Sequence, residues 1–376
     1  MEKGRVPVFF LVALTVWTAM NAYVLWRVLS LPVSVRLLPR AAVIGVAACL
    51  WASYLLARVL ESAGMDGVAR VLEWVGANWF GIVFLAFVCL LAVDIVTGFG
   101  YWLSGIAPRL RVVAVMAACA LAIFANVQGR RAPVVREYEV SLQELPVTLD
   151  GTTLAVVSDT HLGTMIGSRW LDRRVDQVQA LKPDLIILAG DIVEGDTEND
   201  WQIAAGLRRL SAPLGVWGVT GNHEFYAGLD RSVRMLNSAG VRMLRDESVE
   251  VKPGLVISGV DDLTARRRRG GTADYLQRAL AKRPAGATVF VSHSPLQPER
   301  AAQLGVGLML SGHTHDGQIW PFMYFVRLTY PLIYGRYDIN GMTAIVGRGT
   351  GTWGPRMRLW GRAEILKITL RSRAKT

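Results

Sequence analysis

Residues 153–161 read TLAVVSDTH. A short β-prone, apolar run ends in a carboxylate and an imidazole. That is the pattern of a buried strand delivering polar groups at its carboxyl end. The pattern recurs downstream. Leu185–Leu188 leads to Gly190-Asp191, and Gly215–Val219 leads to Gly221-Asn222-His223-Glu224. Thr288–Val291 leads to Ser292-His293-Ser294, and Leu308–Leu310 to Gly312-His313-Thr314-His315. Leu255–Val260 is a further strand-like run. Helical patterns over Arg169–Leu181, Ile203–Leu210, Leu229–Ser238 and Ala273–Lys282 separate several of these runs. Strands alternating with helices predict a layered α/β domain with buried sheets.

All 5 histidines of the chain fall in these strand-end segments. Ligands gather outside the carboxyl ends of strands in α/β sheets, so residues far apart in sequence can share one crevice. Asp, Asn and His without Cys suit Mn, Fe or Zn rather than Ca²⁺ or Cu(I). Asp159, His161, Asp191, Asn222, His293, His313 and His315 exceed the needs of one tetrahedral ion. They suffice for two divalent metal ions if a carboxylate bridges, and Asp191, central in the order, is the natural bridge. Any one of these pieces has a plainer reading, since a lone His is more often a satisfied polar residue. It is the ordered set that carries the inference.

That ordered set, D-x-H, G-D, G-N-H-E, H and G-H-x-H, resembles the signature of the calcineurin-like metallophosphoesterases over roughly Thr152–Leu370. The tail Gly349-Thr350-Gly351-Thr352-Trp353-Gly354 through Glu364-Ile365 is similar to the membrane-associated bacterial branch that includes YkuE and YaeI. The resemblance implies a four-layer α/β/β/α sandwich with a dinuclear site. In it Asp159, His161, Asp191 and His315 hold one ion, and Asp191, Asn222, His293 and His313 hold the other. Asp316 departs from that branch, which commonly has Gly there.

The chemistry expected of such a pair is attack at phosphorus by a metal-bridging hydroxide. His223, not needed as a ligand, is then left to protonate the leaving oxygen or to hydrogen-bond the phosphate. Glu224 and Asp316 are candidates to support the metal-bound imidazoles from behind, since such rings donate their other N–H to an acceptor. An exposed loop carboxylate is the competing reading for Glu224.

Two features bear on the substrate. The aromatic stretch 320–334 includes Trp320, Phe322 and Tyr324. It reads either as a flap holding acyl chains or as packing in a core. The run Arg266-Arg267-Arg268-Arg269 reads either as a solvated loop or as a contact for anionic lipid or substrate phosphate, with Arg266 and Arg267 as the chosen contacts.

Upstream of residue 131 the chain changes character. Val6–Trp26, Ala41–Ala57, Trp74–Val93 and Val112–Gly129 carry no charge. Each is near the length that crosses a hydrocarbon core of about 30 Å as a helix. A cleaved signal peptide is the competing reading of the first run, but it is long for one and three similar runs follow. Spans are expected at about 6–29, 41–60, 74–97 and 110–129. Residues 1–130 then form a transmembrane region, 131–150 a polar linker and 151–372 the metallophosphoesterase catalytic domain.

Asp94 falls at the end of the third run, where reaching the interface is the simpler reading. Loop arginines weigh toward a multi-pass cell-membrane protein with a cytoplasmic catalytic domain. One side would carry Lys3, Arg5, Arg58, Arg70, Arg130, Arg131 and Arg136, the other Arg27, Arg36, Arg40, Arg109 and Arg111.

Composition sets the outer bounds. The chain has 376 residues, 52% hydrophobic and 19% charged, with a positive mean hydropathy, which excludes disorder and disfavours a wholly soluble protein. Only 3 cysteines are present, all in apolar runs, which excludes a disulfide scaffold. Both parts are mildly basic: residues 1–130 carry 10 Lys+Arg against 5 Asp+Glu, and residues 131–376 carry 31 against 25.

The expected partners are the lipid bilayer and a phosphate-containing, lipid-linked substrate such as UDP-2,3-diacylglucosamine. No nucleic acid is expected, since no RNA-binding motif is present. The alternatives are a phosphodiesterase on soluble nucleotides or nucleic acid, and a metal-dependent membrane sensor or transporter with a regulatory phosphoesterase-like domain.

Overall fold

The computed structural model describes residues 6–31, 39–195 and 200–373. The chain divides into two units, 1–130 with 354–359, and 131–353 with 360–376.

The first unit contains four long apolar helices: α1 (Val6–Leu29), α2 (Arg40–Ser62), α3 (Asp66–Val96) and α4 (Ala107–Arg130). All four are long and apolar enough to cross a membrane. At 1.5 Å rise per residue the 31 residues of α3 exceed what a bilayer needs. It begins eight residues before the expected span, because Arg70 and Glu73 interrupt the uncharged run without interrupting the helix. The absence of charge marks the part that belongs in hydrocarbon, whereas helix ends are set by backbone hydrogen bonding. Trp17, Met20, Val24, Val83, Leu90 and Ala114 pack where α1, α3 and α4 meet.

Asp94 is not exposed at the end of its helix. It is fully buried, and Arg27 and Arg111 lie 2.6 and 2.9 Å from its carboxylate. Of the charges used to weigh orientation, Lys3, Arg5 and Arg36 lie outside the described residues.

The second unit holds two six-stranded sheets. In chain order the strands are β1 (Val134–Leu142), β2 (Thr153–Val157), β3 (Leu185–Ala189), β4 (Val216–Val219), β5 (Arg242–Met243), β6 (Glu247–Lys252), β7 (Leu255–Gly259), β8 (Ala287–Val291), β9 (Leu308–Ser311), β10 (Gly335–Ile339), β11 (Met342–Val346) and β12 (Glu364–Ser372). One sheet runs β1-β12-β2-β3-β4-β5 and the other β10-β11-β9-β8-β7-β6. The strands that precede the histidine segments, β2–β4 and β8–β9, pair in parallel. Their carboxyl ends therefore lie at the same edge of each sheet.

Side-chain alternation along each strand sorts residues into layers. Leu185, Ile187 and Ala189 point between the sheets, where they meet Leu255, Ile257, Val289 and Leu308. Ile186 and Leu188 point outward, onto Trp170, Leu171, Val175, Ile203 and Leu236 of the covering helices. On the far side, Phe290, Met309 and Ala344 meet Leu276, Ala279 and Ala301. Three apolar seams between four layers make the α/β/β/α sandwich.

Residues 131–150 are not a free linker. Val134–Leu142 pairs in parallel along the whole of β12. Val140 and Leu142 enter the seam between the sheets. Tyr138, Val140 and Leu142 alternate onto the inner face, while Glu137, Glu139 and Ser141 face solvent. Val140→Asp, which would bury an unpaired carboxylate, is therefore expected to lower the melting temperature of the catalytic domain sharply, as read by near-UV circular dichroism. A true linker would absorb the change with no shift.

Candidate metal centre

The site forms where parallel strands run out. Asp159 and His161 follow β2, Asp191 follows β3, Asn222 and His223 follow β4, His293 follows β8, and His313 and His315 follow β9. The backbone there is strained. Asp159, His161, Asp191, His313 and His315 all have φ between 48° and 72°, the left-handed region that residues with a Cβ avoid. Each such residue costs on the order of 1–3 kcal/mol and persists only where its surroundings impose it. Glycines admit the carboxylates: a Cβ on Gly221 would lie 2.1 Å from Asp191 Oδ1, and one on Gly312 would lie 2.3 Å from Asp159 Oδ2.

Among the described residues three groups of donors result: Asp159, His161 and His315; Asp191, His293 and His313; and His161, Glu194 and His223, which shares His161 with the first. In the first, His161 Nε2 is 3.1 Å from His315 Nε2, which is 3.4 Å from Asp159 Oδ1. In the second, His293 Nε2 is 3.0 Å from Asp191 Oδ2 and 3.3 Å from His313 Nδ1. Two nitrogens each about 2.1 Å from one ion, at 90–110°, stand roughly 3.0–3.4 Å apart, so the separations match shared coordination. Asp191 Oδ2 lies 4.0 Å from His161 Nε2 of the first group, which places it between the first two.

Several polar atoms in the site find no hydrogen-bond partner although buried, among them Asp159 Oδ2 and Asn222 Oδ1. An unmet buried acceptor costs about 1–3 kcal/mol, and a cation removes that cost. The donor set thus fits two divalent ions, with Asp159, His161 and His315 grouped on one side and Asp191, His293 and His313 on the other.

The ligands are held from behind. His293 Nδ1 faces the Ala189 carbonyl at 2.8 Å, which directs Nε2 inward. His313 Nε2 meets the Tyr330 hydroxyl at 2.7 Å, leaving Nδ1 for an ion. Tyr330 is the end of a buried chain through Thr264 at 3.0 Å and Ser294 to Asp262.

Glu224 plays a different part from the one its sequence position suggested. It is fully buried. Its two oxygens accept the backbone N–H groups of Asp191, Ile192, Val193 and Gly221 at 2.6–3.0 Å, tying the loop after β3 to the turn after β4. Asp316 also turns away from the rings: its carboxylate is 2.9 Å from Arg348 Nε.

Glu194 is the residue that motif reading passed over. It stands three positions after Asp191, and its carboxylate lies 3.3 Å from His161 Nδ1 and 3.4 Å from His223 Nδ1. The signal was a second acid in Gly190-Asp191-Ile192-Val193-Glu194.

Charge is distributed unequally. Burial pushes the Asp159 carboxyl up despite its neighbouring histidines. For Asp191 burial acts in the same direction, but His293 and His223 outweigh it and hold the carboxyl well below its ordinary value. Burial and the nearby His293 push His313 down to about 3, which keeps the ring neutral and able to ligate. Burial opposes charge on His223, yet Asp191, Glu194 and Glu224 raise it to about 9.

The proposed substrate contacts divide. Arg266 is engaged in ion pairs with Asp246 at 2.6 Å and Asp261 at 2.9 Å. Arg267 is exposed. Arg268 reaches the Tyr226 hydroxyl at 2.7 Å, and the Tyr226 ring stands 5.3 Å from that of His223. Trp320, Phe322 and Tyr324 are exposed, not packed in a core.

A calcineurin-like phosphoesterase profile matches residues 152–317. A transmembrane protein with metallophosphoesterase domain from Danio rerio is 31% identical over 70% of this chain and 63% of its own length. An uncharacterized metallophosphoesterase of Aquifex aeolicus is 34% identical over 64% of this chain and 92% of its own length. YkuE of Bacillus subtilis, likewise called an uncharacterized metallophosphoesterase, is 28% identical over 63% of this chain and 85% of its own. The chain belongs to the calcineurin-like phosphoesterase family. It spans somewhat under two thirds of the length of the transmembrane relative.

Asp191→Ala is expected to lose both ions, while His223→Ala keeps metal near wild-type content and loses turnover by about 10²–10⁴-fold. Metal analysis of the purified variants decides, and loss of metal from His223→Ala would make that residue a ligand. Asp191, Glu194 and Glu224 favour the protonated His223 ring against burial, so the proton leaves as pH rises and turnover that uses it declines on the alkaline side. Glu194→Gln removes one of those carboxylates. The alkaline limb of the pH profile should move to lower pH, and an unmoved limb would separate Glu194 from His223.

Proposed function

We propose that the protein is a membrane-embedded phosphoesterase that hydrolyses a phosphodiester or pyrophosphate bond in a lipid-linked substrate. The observation that carries the lipid reading is the segment that follows the His313–His315 loop. Trp320, Phe322, Tyr324, Phe325 and Leu328 are each at least 40% exposed. The same segment reaches Tyr330, whose hydroxyl touches the His313 ring. Large apolar side chains exposed together mark a binding surface, and acyl chains match that surface. Sugar-nucleotide lipids such as UDP-2,3-diacylglucosamine are one member of the substrate class.

The four apolar helices support a multi-pass arrangement. Arg27 and Arg111 are engaged with Asp94, so they do not count as loop charges.

When bound, two divalent ions acidify water and offset charge on phosphoryl oxygens. The chain's own groups do the rest. His223, charged and held by Glu194, donates a proton to the departing oxygen. Glu224 keeps the backbone of Asp191 and Gly221 in register with the ring. The Tyr226 and Trp353 rings lie 5.3 and 6.1 Å from that of His223, and Arg268 reaches the Tyr226 hydroxyl.

The test compares Mn²⁺-dependent turnover of soluble bis-p-nitrophenyl phosphate with turnover of a phosphodiester lipid in mixed micelles. Replacing Trp320 and Phe325 by Ser together is expected to lower micellar kcat/KM about tenfold or more and to leave the soluble reaction near wild type. An equal effect on both substrates, or none, would return the reading to soluble nucleotides. Ion flux through vesicles without hydrolysis would favour a transporter.

A further inference from the structure

One end of the apolar bundle holds a charged cluster that hydrolysis does not use. α1 ends at Leu29, α3 ends at Val96 and α4 begins at Ala107. Each places a charged residue within about a turn of that end: Arg27, Asp94 and Arg111.

Asp94 is fully buried and accepts the Tyr23 hydroxyl. Arg27 Nε lies 2.6 Å from its carboxylate, and Arg111 Nε donates to it at 2.9 Å. Arg111 spends a further N–H on the Phe99 carbonyl at 3.0 Å. Arg27 is only 5% exposed, and its guanidinium lies 3.7 Å from the centre of the Trp26 ring. Its Nη2 is buried and meets no acceptor.

Two guanidinium cations thus share one carboxylate. Among the described residues, the cluster keeps one uncompensated positive charge. Such a charge buried without a counter-ion is strongly unfavourable, more so in a bilayer. A guanidinium with a spare N–H is suited to phosphate oxygens. Around the cluster Trp26, Phe99, Tyr101 and Trp102 are exposed, as aromatic side chains are at headgroup depth.

We propose that Arg27, supported by Asp94 and Arg111, binds the phosphodiester headgroup of one anionic membrane lipid. One monoanion closes the charge deficit and supplies the acceptor that Nη2 lacks. This rests on the reading of the four helices as lying in a bilayer. It does not depend on what the catalytic domain cleaves.

The full chain is purified in a neutral detergent. Phosphatidylglycerol, phosphatidylcholine or inorganic phosphate is then added and followed by native mass spectrometry and thermal unfolding. Wild type is expected to hold one phosphatidylglycerol, at least tenfold tighter than phosphatidylcholine, with a rise in Tm. Arg27→Gln, which leaves Asp94 and Arg111 as a neutral pair, should lose that preference at least tenfold while its lipid-free Tm stays at or above wild type. Arg27→Lys should retain the preference for the anionic lipid with weaker binding.

Arg109→Gln, at an exposed arginine of the same end, should bind as wild type does. Equal binding of the two lipids would overturn the proposal. So would an equal loss from Arg109→Gln, which would indicate diffuse surface attraction. A fall in lipid-free Tm for Arg27→Gln with lipid preference intact would make the cluster a structural clamp. Phosphate alone reproducing the Tm rise would make it a free-anion site. A chain that stays soluble without detergent would remove the bilayer premise itself, separately from any lipid selectivity.

Discussion

Two carboxylates held away from water at the edge of two facing sheets, Asp159 and Asp191, set the terms for the rest of the catalytic unit. Buried charge is tolerated only when paired or bound to a metal. The neighbouring imidazoles, the glycines that admit the carboxylates and the left-handed backbone at five candidate ligands all answer that demand. The sandwich supplies the rigidity: its three apolar seams hold the strand ends so firmly that strained loops persist beyond them.

A third buried carboxylate joins the halves of one wall. Glu224 gathers four backbone N–H groups from two loops, doing for those loops what a strand ladder does for a sheet. Beside it His223 is kept charged by Asp191, Glu194 and Glu224, while His313 is kept neutral by burial and His293. Two histidines of one site are thus biased to opposite protonation states. Environment assigns these states.

The apolar unit solves the same electrostatic problem with other means. Asp94 among Arg27, Arg111 and Tyr23 is again a buried carboxylate answered by donors, but with an excess of positive charge. The catalytic cluster has unmet acceptors and suits cations. The cluster in the helices has an unmet donor and suits an anion.

How much was legible in the chain depended on the range of the interactions. The apolar helices and the runs that became β2, β3, β4, β7, β8 and β9 could be read because both faces of those strands, or whole helix surfaces, are apolar over consecutive residues. Strands β5, β6, β10, β11 and β12 were not read, and β1 was read only as strand-like alternation within a linker. β1 and β10 alternate with a polar face, and β12 mixes charges into an otherwise buried run. The seven candidate ligands were visible because strand-end chemistry is local and their order is distinctive. Glu194 was not singled out, since one acid beyond a motif looks like any loop residue until folding sets it between two imidazoles.

The sequence by itself determined the two-part organisation, the run of strands and the donor types at their ends, because hydrophobic periodicity and residue chemistry act over a few neighbouring positions. Only the tertiary structure decided that Glu224 binds backbone, that Arg266 is spent on Asp246 and Asp261, that Asp316 faces Arg348 and that Asp94 is buried between arginines. Each of those depends on which group of opposite charge or hydrogen-bonding capacity arrives from a distant part of the chain, and linear spacing does not encode that.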